Sequence, residues 1–179
     1  MHPYRMQRLI KDRGKDQVIN VGQRASLYQT ISQMLRAGLI TFWETTRQEG
    51  FPERTVYKLT DKGHETALTW LREMLSMPAQ EFPVFPAAVS LLPLLRPEDV
   101  LHQLEMREAR LTDQITSVDE ELNTNAVGLP RLFLLESEYI RTMLEAELKW
   151  IRSVIADLRS GKLIWDEEWM RPSVPPESD

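Results

Sequence analysis

The sequence contains no cysteine, only three histidines and only seven glycines among its 179 residues. Without cysteine there is no disulfide framework, no thiolate nucleophile and no cysteine-based zinc site, a composition that suits a reducing cytoplasm. His2, His64 and His102 fall on three separate stretches with no carboxylate at metal-ligand spacing, so they read as surface histidines and no metal site is expected. The glycines form no G-x-G-x-x-G loop and no nucleophile elbow, and Ser26 has no histidine or lysine companion in its motif. Adjacent acids such as Glu120 and Glu121, or Glu167 and Glu168, diverge by about 100 degrees on a helix and make poor catalytic partners. No run approaches the roughly 18 apolar residues of a membrane span, and Met1 to Arg5 begins no apolar leader. These absences leave no enzyme, no cofactor and no membrane association to expect.

What is present divides along the chain. The net charge of -5 hides a basic first part, +4 over residues 1–75, and an acidic remainder, -9 over residues 76–179. A basic part can neutralise phosphates while an acidic one is repelled from them, although a +4 imbalance is also compatible with plain solubility. The length suffices for one small domain with a helical extension.

The stretch Gly22–Gly63 organises the rest. Leu27, Ile31, Met34 and Leu35 fall at i, i+4, i+7 and i+8, one stripe of an α-helix, with Ser26 placed to cap it and Gly38 to end it in a left-handed turn. The opposite face carries Arg24, Gln29, Gln33 and Arg36, all donors. Residues 39–46 and 55–59 are rich in β-branched and aromatic side chains around a loop containing Gly50 and Pro52, which predicts a β-hairpin with basic Arg47 and Arg54 at its tip. A donor-rich helix beside a hairpin is what a winged helix-turn-helix offers to double-stranded DNA. On pattern alone an ordinary solvated face fits equally well.

Around this stretch, Tyr4, Met6, Leu9 and Ile10 predict a short helix from Pro3 to Arg13. Leu68, Leu71, Met74 and Leu75 predict a core helix after a cap at Thr60 or Asp61. Residues 76–97 hold five of the chain's eleven prolines among Phe82, Val84, Phe85, Val89 and four leucines, too apolar for a linker and too broken for one helix, so short packed helical pieces are expected. From Glu98 to Asn123, Leu101, Leu104, Leu111, Ile115, Val118 and Leu122 keep a seven-residue rhythm with Glu108 at the vacant seam position. A second helix over 129–160 repeats it with Phe133, Ile140, Leu144, Ile151, Val154 and Leu158. Two antiparallel helices cannot bury all of this alone. A two-fold homodimer covers it, with an intramolecular sandwich against the 68–75 helix and the proline segment as the alternative. Glu147 interrupts the second stripe and needs a cation, for which Arg107 and Arg110 are the candidates. Residues 163–170 can extend the last helix and dock Trp165 and Trp169.

The motifs His2-Pro-Tyr4, Ser26-Leu-Tyr28, Met34 to Ile40, Gly50-Phe-Pro-Glu-Arg54 and Tyr57 to Gly63, in this order, resemble those of PadR-type transcriptional regulators. The likeness continues through Phe82-Pro83, Leu91 to Leu95 and Glu147 to Ile151, and spans residues 2–160. It implies a homodimeric DNA-binding repressor whose C-terminal helices dimerise and which, in many members, senses a small molecule. It also implies a further helix ahead of Pro3, where this sequence begins: either the helix lies upstream of Met1 or was trimmed away, or the protein lacks it, and in that last case the inner faces of Leu9, Leu27 and Leu39 lose cover. Family members usually carry another basic residue after the arginine matching Arg54, where this chain has Thr55-Val56. In some multidrug-binding members a tryptophan near the position of Trp150 lines a flat pocket, whereas on residue type alone Trp150 reads as interface core.

The expected architecture is therefore mainly α with a small β-hairpin. A winged helix-turn-helix over 1–76 is followed by a packed connector over 77–97, a two-helix antiparallel dimerisation region over 98–162 and a tail over 163–179. The expected DNA contacts are Arg24, Ser26, Tyr28, Gln29 and Gln33 on the reading helix and Arg47, Arg54 and Lys58 on the hairpin. Ser26 and Tyr28 rest on the family motif and on their place at a helix start, the glutamines on their capacity to read adenine edges and Arg24 guanine. Trp150 is the candidate for a small hydrophobic or aromatic effector. The alternative function is a winged-helix protein-interaction module without DNA binding.

Overall fold

The computed structural model describes residues 1–12, 15, 24–46, 54–125 and 128–166, with residues 24–26, 46, 54 and 125 described by backbone alone. It is mainly helical, with one two-stranded antiparallel hairpin, and divides into two compact units, Met1–Glu81 and Phe82–Asp179.

In the first unit α1 (Pro3–Asp12) and α2 (Arg24–Arg36) precede β1 (Ile40–Thr46), β2 (Arg54–Leu59) and α3 (Asp61–Ser76). The stripe expected on α2 faces inward: Ile31 is buried and Leu27 and Met34 are half-buried, while Leu35 lies at the exposed margin. Helix α2 begins at Arg24, so Ser26 lies in its first turn and not at the residue ahead of it. Its end is as expected. Gly38 takes φ +68°, where a side chain would strain the backbone, and lets the Gly38 and Leu39 N–H groups donate back to Leu35 and Met34. The hairpin pairs Ile40 with Leu59 and Thr46 with Arg54, with a bulge between Phe42 and Glu44 that leaves Trp43 as the extra residue. Tyr57 donates its N–H to the Met1 carbonyl at 3.2 Å and accepts from the Met1 amino group, so residue 1 lies along the far edge of β2. Leu39 is buried, and Leu9 and Leu27 are half-buried.

Helix α3 departs from expectation. Thr60 caps it, as proposed, by accepting from the Gly63 N–H at 2.9 Å. Its apolar stripe meets no core among the described residues: Leu71, Met74 and Leu75 are exposed, Leu75 to 87%. Helical periodicity identifies which side chains share a face and is silent on whether anything covers that face.

In the second unit the proline segment forms α4 (Val84–Val89) and a single 3-10 turn at Leu92–Leu94, ahead of α5 (Pro97–Asn125) and α6 (Leu135–Arg159). Helices α5 and α6 pack together around Val100, Leu104, Leu111, Leu148, Ile151 and Ile155, with Phe85 and Leu92 against them. The heptad positions 104, 111 and 118 hold. Val100 is buried where Leu101 is only half-buried, and Leu148 and Ile155 join a seam read from its neighbours. The second helix is shorter than expected. A 3-10 turn at Arg131–Phe133 precedes it, and Phe133 is exposed. After Arg159 the chain leaves the helix; Trp165 docks by donating its indole N–H to the Leu95 carbonyl at 2.8 Å, and Trp169 lies outside the described residues.

Four ion pairs join α5 to α6: Arg107 of α5 meets Glu147 of α6 at 2.6 Å, and three acids of α5 meet arginines of α6, Glu108–Arg152 at 2.7 Å, Glu105–Arg159 at 2.7 Å and Asp119–Arg141 at 2.5 Å. Arg107 is thus the cation that Glu147 requires, and Glu108 at the vacant heptad position is paired as well. Such half-exposed pairs contribute little energy each.

Candidate nucleic-acid interface

On α2, Tyr28, Gln29, Gln33 and Arg36 all present exposed side chains. Gln29, Gln33 and Arg36 lie opposite buried Ile31, because a helix buried on one stripe must show the other, and Tyr28 stands at the margin of the buried stripe. Tyr28 is 54% exposed although aromatic, and the Ser32 hydroxyl donates to its carbonyl at 3.0 Å. Arg24 and Ser26 occupy the first turn of the same helix, and Arg54 is the first residue of β2. Arg47 lies outside the described residues. Lys58 is exposed on β2, its ammonium 4.2 Å from the centre of the Trp43 ring.

Helix α2 is held at its C-terminal end by the first turn of α3. Lys62 Nζ donates to the Ala37 carbonyl at 2.8 Å, placing a cation on the negative end of the α2 dipole. The Thr60 hydroxyl donates to the Gly38 carbonyl at 2.8 Å, and the Thr60 N–H to the Leu39 carbonyl at 3.1 Å. Gly63 completes the clasp by close approach: a Cβ there would lie 1.9 Å from the Leu39 carbonyl oxygen. One short segment thereby satisfies three carbonyls at the end of α2 and starts α3. Sequence reasoning offered Thr60 or Asp61 as the cap and missed the second role of Thr60, as it missed the roles of Lys62, Gly63 and Trp43. Gly63 was the available signal, since a glycine at the third position of a helix that could hold glutamate marks a place without room.

Trp150 lies in the other unit. It meets Phe85 edge-on at 6.0 Å, Phe85 stacks under the Arg107 guanidinium at 3.7 Å, and Arg107 is bound to Glu147. These four side chains, with Val84 and Met143, border an open cavity of about 670 Å³. On α6 the exposed side chains of Tyr139, Met143 and Trp150 fall at i, i+4 and i+11, an apolar stripe on the side away from buried Leu148 and Ile151. Among the described residues no group of histidines and carboxylates could hold a metal ion, and no helix is long and apolar enough to cross a membrane.

No protein-family profile and no curated protein matches this sequence. Solved structures do share its fold. Bacillus subtilis PadR in complex with operator DNA superposes with a TM-score of 0.71 at 16% identity, over 88% of this chain and 89% of that one. A PadR-like transcriptional regulator from Bacillus cereus gives 0.60 at 13% identity over 90% and 91%. A protein from Streptococcus mutans gives 0.55 at 19% identity over 76% and 80%. At these identities the likeness establishes the fold, that of PadR-type winged-helix proteins.

Proposed function

We propose that this chain is a PadR-type transcriptional regulator that binds double-stranded DNA as a homodimer and acts in the cytoplasm as a repressor. The observation that carries the reading is the exposed donor face of α2, where Tyr28, Gln29 and Gln33 stand together beside a hairpin bearing Lys58. A fold shared with a protein solved on operator DNA supports it. In this reading Ser26 and Arg24 join from the first turn of α2, and Arg47 and Arg54 from the hairpin tip. The apolar stripe of Tyr139, Met143 and Trp150 on α6 supports a two-fold partner, which sets two reading heads about one helical turn of DNA apart on a pseudo-palindromic operator. The cavity beside Trp150 and Phe85 supports response to a small hydrophobic or aromatic effector.

A gel shift on the DNA upstream of the protein's own gene, at two salt concentrations, tests the reading. A steep salt dependence with preference over random DNA supports it. No shift at micromolar protein favours a second reading, a winged-helix protein-interaction module. The exposed Leu71, Met74 and Leu75 of α3 are what speaks for that alternative.

A further inference from the structure

We propose that Trp43 is a positioning residue of the wing, its ring holding the Lys58 ammonium in place to meet a DNA phosphate. The inference rests on the DNA-binding reading above and adds a residue to it. Pairing of β1 with β2 slips by one between Phe42, opposite Tyr57, and Glu44, opposite Val56, so Trp43 has no partner of its own. A bulge costs ladder bonding and re-aims the extra side chain, and here that side chain is a tryptophan left 56% exposed. The large ring gains no core by being there. What it gains is Lys58, whose ammonium stands 4.2 Å from the ring centre, well inside cation–π range.

A lysine ammonium is a point charge on a flexible stem, and gripping a phosphate freezes that stem. A ring beneath the ammonium restrains it beforehand and leaves its remaining N–H groups free to donate. The arrangement supplies on the strand what this sequence lacks at the tip, where Thr55 and Val56 follow Arg54. Trp43 therefore acts through Lys58 and reads no base.

The test uses the full chain and two labelled duplexes of equal length, one from upstream of its gene and one random, at about 50 and 200 mM salt. Trp43→Leu is expected to weaken binding to both duplexes about two- to five-fold, whereas Trp43→Phe, which keeps a ring, stays near wild type. The double variant Trp43→Leu/Lys58→Met should bind no more weakly than Lys58→Met alone. In the free protein, the Lys58 methylene protons next to the ammonium should lie upfield and relax downfield in Trp43→Leu, a ring-current signature that a fold defect would not produce selectively. Additive losses in the double variant would overturn the proposal, because Trp43 would then touch DNA by itself. Unchanged affinity in Trp43→Leu beside a binding wild type would overturn it and leave the DNA reading intact. Failure of the wild type to bind either duplex would remove both.

Discussion

Gly63→Ala is the sharpest test of how α2 is held. Ordinary helix propensity says that alanine for glycine inside a helix stabilises by about 0.5–1 kcal/mol. The geometry here says the reverse. The new Cβ would sit 1.9 Å from the Leu39 carbonyl oxygen, 2.8 Å from its carbon and 3.0 Å from a Leu59 methyl, and atoms of this kind do not approach within 3.0 Å. The first turn of α3 must therefore withdraw by about 1 Å. That stretches the Thr60 N–H bond to Leu39 from 3.1 Å, and the Thr60 hydroxyl and Lys62 bonds to Gly38 and Ala37 from 2.8 Å. Overpacking strain is about 1–3 kcal/mol. Each hydrogen bond lost costs about 1 kcal/mol net. Less the propensity gain, the expected destabilisation is about 2–4 kcal/mol. Urea unfolding should show a lower midpoint at unchanged slope, and amide exchange at Thr60, which reports on this unit alone, should accelerate. A midpoint equal to or above wild type would refute the clasp as drawn.

Four further outcomes are expected. Tyr28→Ala should weaken operator binding by about 1–3 kcal/mol and random DNA less, whereas Arg54→Ala should lower both alike and flatten the salt slope by about one unit; equal losses from both variants would count against these roles. Arg107→Met should cost about 1 kcal/mol after allowance for solvent screening, and adding Glu147→Leu should restore most of it, as read by thermal unfolding. The Arg131 guanidinium, donating to Glu138 at 2.9 Å, holds that carboxyl below the ordinary glutamate range, so its contribution is present above the unfolded-chain value and is lost only as pH falls through the lower folded one. An NMR titration should find Glu138 protonating below the ordinary glutamate range, and Arg131→Gln should return it to that range. Sedimentation at working concentration should show a dimer, and Tyr139→Asp/Met143→Asp on the exposed stripe of α6 should yield single chains that retain helicity.

Much of this molecule was legible in residue order because the forces concerned are local. Apolar spacing placed α2, α5 and α6, a glycine ended α2 at Gly38, and a threonine three residues ahead of Gly63 capped α3. Glu147 announced its need for a cation, since a carboxylate on an apolar face is costly alone, and Arg107 stood at reach. The donor face of α2 could be listed for the same reason: a helix that buries Ile31 must expose Gln29 and Gln33. Even here local order blurred one boundary, for α2 begins at Arg24 and takes Ser26 inside its first turn.

What depended on partners distant in the chain could not be read that way. Periodicity put Leu71, Met74 and Leu75 on one face of α3 and could not say that the described residues leave that face exposed. Which of Val100 and Leu101 enters the seam is settled by the facing helix, and nothing in either residue's neighbourhood announces it. The slipped register that frees Trp43 to meet Lys58 exists only once two strands pair. The clasp of Thr60, Lys62 and Gly63 on the end of α2 joins residues more than twenty positions apart, and closes only when the carbonyls of Ala37, Gly38 and Leu39 arrive there. Order along the chain sets what each segment prefers by itself. Contact between segments chooses among those preferences, because burial and hydrogen bonding are properties of pairs.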